Sequence, residues 1–373
     1  MIKRLSNVNL LNSIACIGYL LLVFAYYGAN ELLGHTLGGY TWVITFFVYP
    51  LLLYKVTFTK YNKRELCIGS ILVVLCLITT VYTEQTSLFT NLLVLLSLKN
   101  IDIKLLLKRC FWFALTAYIM VIVLSLFGIG GPLSLTKNFG RGRVETRYCL
   151  GYGHPNGLHC YLFLILCLYI YAYFDKIKIW QIVIAAVINI SMFWLTASRT
   201  GVAAISLLLV LYLFVRYCSS IATSKIWMIG TIAGYLGIVV ISVCAVIWNF
   251  NPVFAWLNKL LTGRIDLAHN YLFEYSVGLF GSKIPDGFYL DHGWIGVLMF
   301  WGIVWFIIYQ VAMLVLLYTS NKHGELAVVI IILISALYGI AEFSVLEKVF
   351  RNLMFIFMSG VLYSKTVAGQ RID

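Results

Sequence analysis

The sequence predicts an all-α, polytopic membrane protein of about twelve transmembrane helices, with two larger loops on the extracytoplasmic side. Three observations predict it. Of 373 residues, 62% are hydrophobic and only 11% charged, at a mean hydropathy of +0.94; soluble domains carry roughly 25% charged residues. Apolar runs bounded by charges recur along the whole chain. Lysine and arginine are dense in alternate segments between those runs. This composition argues against a water-soluble enzyme, a disordered chain and a disulfide scaffold. The net charge of +13 would suggest nucleic acid in a soluble protein. Here its distribution across the membrane is the informative quantity, and no nucleic-acid partner is expected.

The apolar runs fall at 8–28, 36–54, 66–83, 87–98, 110–130, 157–174, 179–196, 201–215, 226–247, 293–317, 326–343 and 353–363. A crossing needs about 20 apolar residues, so 87–98, 201–215 and 353–363 are short for one. With the N-terminus inside, the inner segments hold 17 of 27 basic residues and 5 of 14 acids, a balance of +12 against +1 outside. The positive-inside rule then puts both termini in the cytoplasm. It also supports the short runs, because deleting one would invert every later loop. Lys3 and Arg4 precede the first run without a cleavage pattern, so that run is expected to be retained. Most of the nine cysteines lie in or beside apolar runs, and no CxxC occurs. Neither a zinc site nor a redox pair is indicated, and no metal or cofactor is expected. Residues 1–373 read as a single integral membrane domain.

Two segments break the pattern of tiny outer loops, 131–156 and 248–292. Long polar loops commonly carry function. The first holds Gly140-Arg141-Gly142-Arg143-Val144-Glu145-Thr146-Arg147. If extended, its arginines and Glu145 share one side; if helical, Arg143 and Arg147 stack at i, i+4. Guanidinium groups match phosphate oxygens, and the bland alternative is a solvated basic loop. The same loop ends in Gly151-Tyr152-Gly153-His154-Pro155-Asn156 before the sixth run. Pro155 suits a first helical turn, whose free N–H groups favour an anion, and His154 could bond a phosphate or move a proton.

Ser198-Arg199-Thr200-Gly201 opens the eighth run, with Ser198 or Thr200 placed to cap it. Arg199 sits at the outer boundary, where an ionisable group is a functional candidate and snorkelling the alternative. In the second loop, Asn251 and Pro252 start an amphipathic stretch with Val253, Trp256, Leu257, Leu260 and Leu261 on one face. It fits an interfacial helix or a lid equally well. Arg264, Asp266 and His269 follow, a candidate anion clamp, an orienting acid and a general base. Asp291 is a natural N-cap for the tenth run.

Taken together, these features resemble the Wzy-type bacterial polysaccharide polymerases and the related O-antigen ligases. The matching residues are Gly-Tyr-Gly-His-Pro-Asn at 151–156, Ser-Arg-Thr-Gly at 198–201, Thr-Gly-Arg at 262–264 and Asp-His-Gly-Trp-Ile at 291–295. His292 stands where that family more usually has Asn. The resemblance implies a GT-C-like membrane glycosyltransferase of the bacterial cytoplasmic membrane. It would join repeat units carried on undecaprenyl pyrophosphate at the outer face, without nucleotide sugar or metal. Membrane lipids surround it, and a chain-length regulator and a flippase are the partner proteins this class implies. Arg143, Arg147, Arg199 and Arg264 are the expected pyrophosphate ligands. His269, then His154, is the expected base, with Asn156, Ser198, Asp266 and Asp291 in support. The alternatives are a ligase that moves finished polymer and a lipid-linked oligosaccharide flippase.

Overall fold

The computed structural model describes residues 2–25, 28, 41–285, 290–347 and 351–369, with backbone alone at 2–8 and 41–45. The start of the second apolar run, at 36–40, and the C-terminal residues 370–373 lie outside the described residues. In chain order the helices are α1 (Ile2–Phe24), α2 (Thr41–Phe58), α3 (Lys63–Thr83), α4 (Ser87–Ser97), α5 (Ile103–Leu126), α6 (Pro155–Tyr173), α7 (Ile179–Thr196), α8 (Arg199–Tyr217), α9 (Lys225–Ile247), α10 (Pro252–Leu260), α11 (Arg264–Tyr275), α12 (Gly293–Lys322), α13 (Leu326–Tyr338) and α14 (Leu353–Leu362). Single helical turns occur at Ser219–Ala222 and Ser344–Glu347, and strands β1 (Ser134–Asn138) and β2 (Val144–Tyr148) form a hairpin between α5 and α6.

Helices α3, α5, α6, α7, α8, α9 and α12 are long and apolar enough to cross a membrane. Shorter apolar helices lie at Asn9–Phe24, Phe46–Phe58, Ser87–Ser97, Leu326–Tyr338 and Leu353–Leu362. The chain is an all-α polytopic membrane protein. Its outward helix faces carry bare apolar side chains such as Ile71, Trp112, Trp194 and Ile226, as lipid-facing surfaces do. Polar residues mark where the helices begin. Asn62 and Glu65 form a capping box on α3, Asp102 caps α5 and Ser224 caps α9; each side-chain oxygen accepts a free first-turn N–H.

The single domain expected over 1–373 divides into two compact units: Met1–Tyr61 with Leu96–Val210, and Asn62–Leu95 with Leu211–Asp373. In the first, α1 packs on α2 and α5, and α5 on α6. In the second, α9 and α12 pack together and against α13, with α14 on α12.

The second unit contains a broken helix. Within α12, Gly302 has φ +84° and ψ 173°. Met299 O accepts from Ser282 N–H, while Ile303 and Val304 N–H donate to the carbonyls of Gly278 and Leu279. The 278–282 loop thus satisfies backbone groups that the break releases, which hydrocarbon could not do. Residues 303–322 alone measure about 30 Å at 1.5 Å per residue, enough to cross. The Gly293–Trp301 half folds back. Trp294 Nε1 donates to Ala336 O (3.1 Å), and its ring meets Tyr235 and Tyr309 edge-on. Those residues lie about 15–20 Å along α13, α9 and α12 from the Leu326, Lys225 and Lys322 ends. The start of α12 is therefore deep among these helices, where the sequence suggested a loop boundary.

A Cβ on Gly302 would lie 2.2 Å from Gly281 N and 2.4 Å from Leu279 O. Both are backbone atoms, and the φ itself disfavours an L side chain. Gly302→Ala should lower the thermal midpoint of detergent-solubilised protein by several degrees, read by size-exclusion after heating. Gly230, with open space around it, is the control and should tolerate Ala.

The 248–292 segment holds α10 and α11. Asn251 caps α10 with Pro252 behind it, as the sequence predicts. The predicted apolar face is split. Val253, Trp256 and Leu260 point outward, while Leu257 and Leu261 pack with Phe254 on a core of Val246, Ile265, Ala268, Ile295 and Met299. That arrangement suits an interfacial helix with an anchored underside.

Candidate anion-binding site

The candidate site lies in the first unit and starts from the hairpin. Ser134 pairs with Tyr148 and Asn138 with Val144. Of the charged residues in the basic run, only Glu145 and Arg147 are in a strand, on one face two residues apart. Arg141 and Arg143 sit in the connecting turn, each just after a glycine, Gly140 and Gly142, at φ +78° and +72°. Asn138 Oδ1 accepts from the N–H groups of Gly140 (3.0 Å) and Arg141 (3.2 Å), shaping that turn. The run is thus neither one extended stripe nor a helix.

The three guanidinium groups of the hairpin nevertheless converge on Glu145. Arg141 Nη1 is 3.5 Å from Oε1, Arg143 Nε is 3.6 Å from Oε2, and Arg147 donates to Oε1 through Nε (2.8 Å) and Nη2. The Arg147 hydrogen bond holds the Glu145 carboxyl below its ordinary value, so it is ionised. Arg147 is buried and lies 4.1 Å from the Phe139 ring centre. The His154 ring packs edge-on against the same phenyl, at 5.8 Å.

Arg141 joins the hairpin to the turn between α7 and α8. Its Nη2 donates to Ala197 O at 2.8 Å. Burial, then repulsion from Arg147 and Arg199, pulls this guanidinium down from its ordinary value. It remains charged, in a field that an added anion would relieve. Its Nε is buried without a hydrogen-bond partner among the described residues. Beside it, Ser198 is 2% exposed and its Oγ also lacks a partner. Ser198 or Thr200 is the expected cap of α8, and the Ser198 hydroxyl makes no capping bond. Arg199 is the first residue of α8 and is exposed. The first-turn N–H groups and positive dipole end of α8 face the same direction of need, toward negative charge. Three arginines thus share one carboxylate, Arg199 lies within electrostatic reach of Arg141, and two buried polar atoms there, Arg141 Nε and Ser198 Oγ, have no partner among the described residues.

His154 caps α6, its Nδ1 accepting from Asn156 N–H at 3.2 Å. A neutral His154 therefore carries its proton on Nε2 and is a donor there, better suited to an anion than to taking a proton.

The remaining candidates lie in the second unit. Arg264 is 8% exposed, with Nε 2.9 Å from Asp291 Oδ2 and Nη2 3.2 Å from Glu342 Oε1. Arg351 also lies within electrostatic reach of Glu342. Arg264, the expected clamp for the donor anion, is thus ion-paired within the protein. Two carboxyl groups occupy its fork. Asp291 is likewise not the cap of α12. His292 caps it, Nδ1 accepting from Ile295 N–H (3.4 Å) with Nε2 3.3 Å from Ser242 Oγ. Asp266 does not orient His269. Its oxygens accept from Asn249 (3.1 Å) and Asn258 (2.6 Å). His269 Nδ1 instead donates to Val246 O at 2.7 Å, which leaves the lone pair on Nε2, the form a general base needs.

Sequence reading passed over Arg141 as a site residue, and passed over Glu342 and His159 altogether. Arg141 shared a motif with stronger-looking neighbours, and Glu342 is separated from Arg264 by 78 residues. Among the described residues, no three His, Cys, Asp or Glu side chains come together as a metal site would require. No family model, no curated protein and no solved structure matches the chain.

Proposed function

We propose that this protein is a membrane glycosyltransferase of the polysaccharide-polymerase type. It joins oligosaccharide repeat units carried on undecaprenyl pyrophosphate at the outer face of a bacterial cytoplasmic membrane. Twelve spans with both termini inside complete the proposal, from the +12 against +1 charge balance. The observation that carries it is the cluster of Arg141, Arg143 and Arg147 around Glu145, with Arg199 in electrostatic reach of Arg141 and with Arg141 Nε and Ser198 Oγ unpartnered among the described residues.

Pyrophosphate is the leaving group in such a transfer. As the acceptor oxygen bonds the anomeric carbon, the bond from that carbon to phosphate breaks and its electron pair goes to the phosphate oxygen. Preorganised cations at that oxygen stabilise the developing charge. The Arg147 guanidinium is buried and that of Arg141 is half-buried, and both are held by protein partners before any ligand arrives, so little reorganisation is needed. Arg143 and Arg199, both exposed, add attraction at longer range. His154 supplies a further donor. His269 is proposed as the base for an acceptor hydroxyl, because its Nδ1 bond to Val246 O leaves the lone pair on Nε2.

His269→Gln keeps a hydrogen bond but takes no proton at neutral pH. It should cost roughly 10²–10⁴ in transfer rate, with donor binding unchanged. Near wild-type transfer would make His269 a binding residue at most. The function itself is tested by a deletion strain. Loss of a polymerase leaves single repeat units exposed at the outer face. Repeat units trapped inside would indicate a flippase, and full-length polymer left on its lipid carrier would indicate a ligase.

A further inference from the structure

We infer that His159 is a positioning residue for the anion site: it holds the strained turn on which Arg141 and the start of α8 are mounted. The inference rests on reading the arginine cluster as an anion site, and it extends that reading to a residue with no surface of its own.

His159 lies in α6 and is completely buried. Its Nε2 is 2.8 Å from Asn189 Oδ1 and its Nδ1 3.1 Å from Thr196 Oγ1. The Asn189 amide donates to Val202 O (3.1 Å) and to Ser206 Oγ (3.0 Å). That turns Oδ1 toward the imidazole and makes Nε2 the protonated nitrogen. Nδ1 is then an acceptor and faces the Thr196 hydroxyl, whose one proton it shares with Met192 O at 2.8 Å. The Thr196 oxygen in turn accepts from Ser198 N–H at 3.1 Å. A continuous polar chain therefore runs from Ser206 through Asn189, His159 and Thr196 to the backbone of Ser198.

The residue between Thr196 and Ser198 is what needs holding. Ala197 has φ +51°, the left-handed region, without being glycine; such a conformation persists only when its surroundings over-determine it. Its carbonyl is the one that accepts from Arg141. The other side of the turn is fixed by the same ring. A Cβ on Gly201 would stand 2.7 Å from His159 Cγ, so only glycine lets the first turn of α8 sit on the imidazole. His159 thus grips both ends of the turn, Thr196 by a hydrogen bond and Gly201 by contact. Through Ala197 O and Ser198, it sets where Arg141 and the α8 N–H groups point.

The test uses full-length protein in detergent and binding of inorganic pyrophosphate, with three variants. His159→Asn places an acceptor near the Nδ1 position and keeps the Thr196 arm. His159→Gln reaches toward Asn189 and keeps the other arm. His159→Phe fills the space with neither. Wild type and Asn should bind within about threefold of each other, and Gln and Phe should bind roughly tenfold more weakly, the effect of one displaced hydrogen bond. Thermal midpoints should not follow that order. Binding by the Phe variant at wild-type strength overturns the inference, as does weakening that simply tracks the thermal midpoints of all three. Failure of wild type to bind pyrophosphate overturns the anion site and this inference together. Binding by wild type with equal binding by every variant overturns this inference alone.

Discussion

Arg141→Ala is expected to lower glycosyl transfer by roughly 10²–10³-fold, the range for removing a preorganised donor at a developing charge, while the protein still reaches the membrane. Arg141 is the arginine that ties the hairpin to the α8 turn, and it brings a buried, unpartnered Nε. Its loss removes both a ligand and the cross-link that orients the others. Arg141→Lys should recover only a small part, because an ammonium cannot span Ala197 O, Glu145 and a phosphate as a planar fork does. Arg143→Ala is the contrast. Its side chain is 75% exposed, so solvent screens it and the loss should stay within about threefold. Initial rates with lipid-linked repeat units, in membranes matched for protein level, separate these cases. Equal losses from Arg141 and Arg143 would mean that only summed charge matters.

Arg264→Ala is expected to act on folding instead. It leaves Asp291 and Glu342 with no guanidinium between them, and Glu342 is 6% exposed. Breaking a buried ion pair from one side costs about 3–5 kcal/mol, a large share of a marginal stability. Little monodisperse protein should survive extraction. The triple variant Arg264→Ala, Asp291→Asn, Glu342→Gln removes the uncompensated charges and should recover most of it. Size-exclusion profiles after extraction decide the matter. An Arg264→Ala protein that is as stable as wild type and inactive would return Arg264 to the substrate.

Much of the fold was legible because hydrocarbon imposes a simple rule: a crossing helix must be long and apolar. The apolar runs all reappear as helices among the described residues, and caps such as Asp102, Ser224 and Asn251 sit where polar residues interrupt them. The break at Gly302 was not legible. One glycine in an apolar run carries no periodic signal, and the groups that satisfy it come from Gly278–Ser282, a separate loop. The arginines of the two long loops were legible by charge alone. Which groups they pair with inside the fold was not, because those partners are distant in sequence. Arg264 finds Glu342 across 78 residues, and Arg141 finds Ala197 across 56. His159 was hidden for the opposite reason. It sits in an apolar helix as an apparent core residue, and its polar partners only emerge once α6, α7 and α8 are side by side.

The central claim is that this chain alone converts lipid-linked repeat units into polymer. The most direct test is purified protein incubated with purified undecaprenyl-pyrophosphate-linked repeat units, with no nucleotide sugar, no ATP and a chelator present. The account predicts a ladder of lengthening products on a gel, with one undecaprenyl pyrophosphate released for each bond formed. Intact single units after incubation with folded, monodisperse protein, or their transfer across a bilayer without joining, would contradict it.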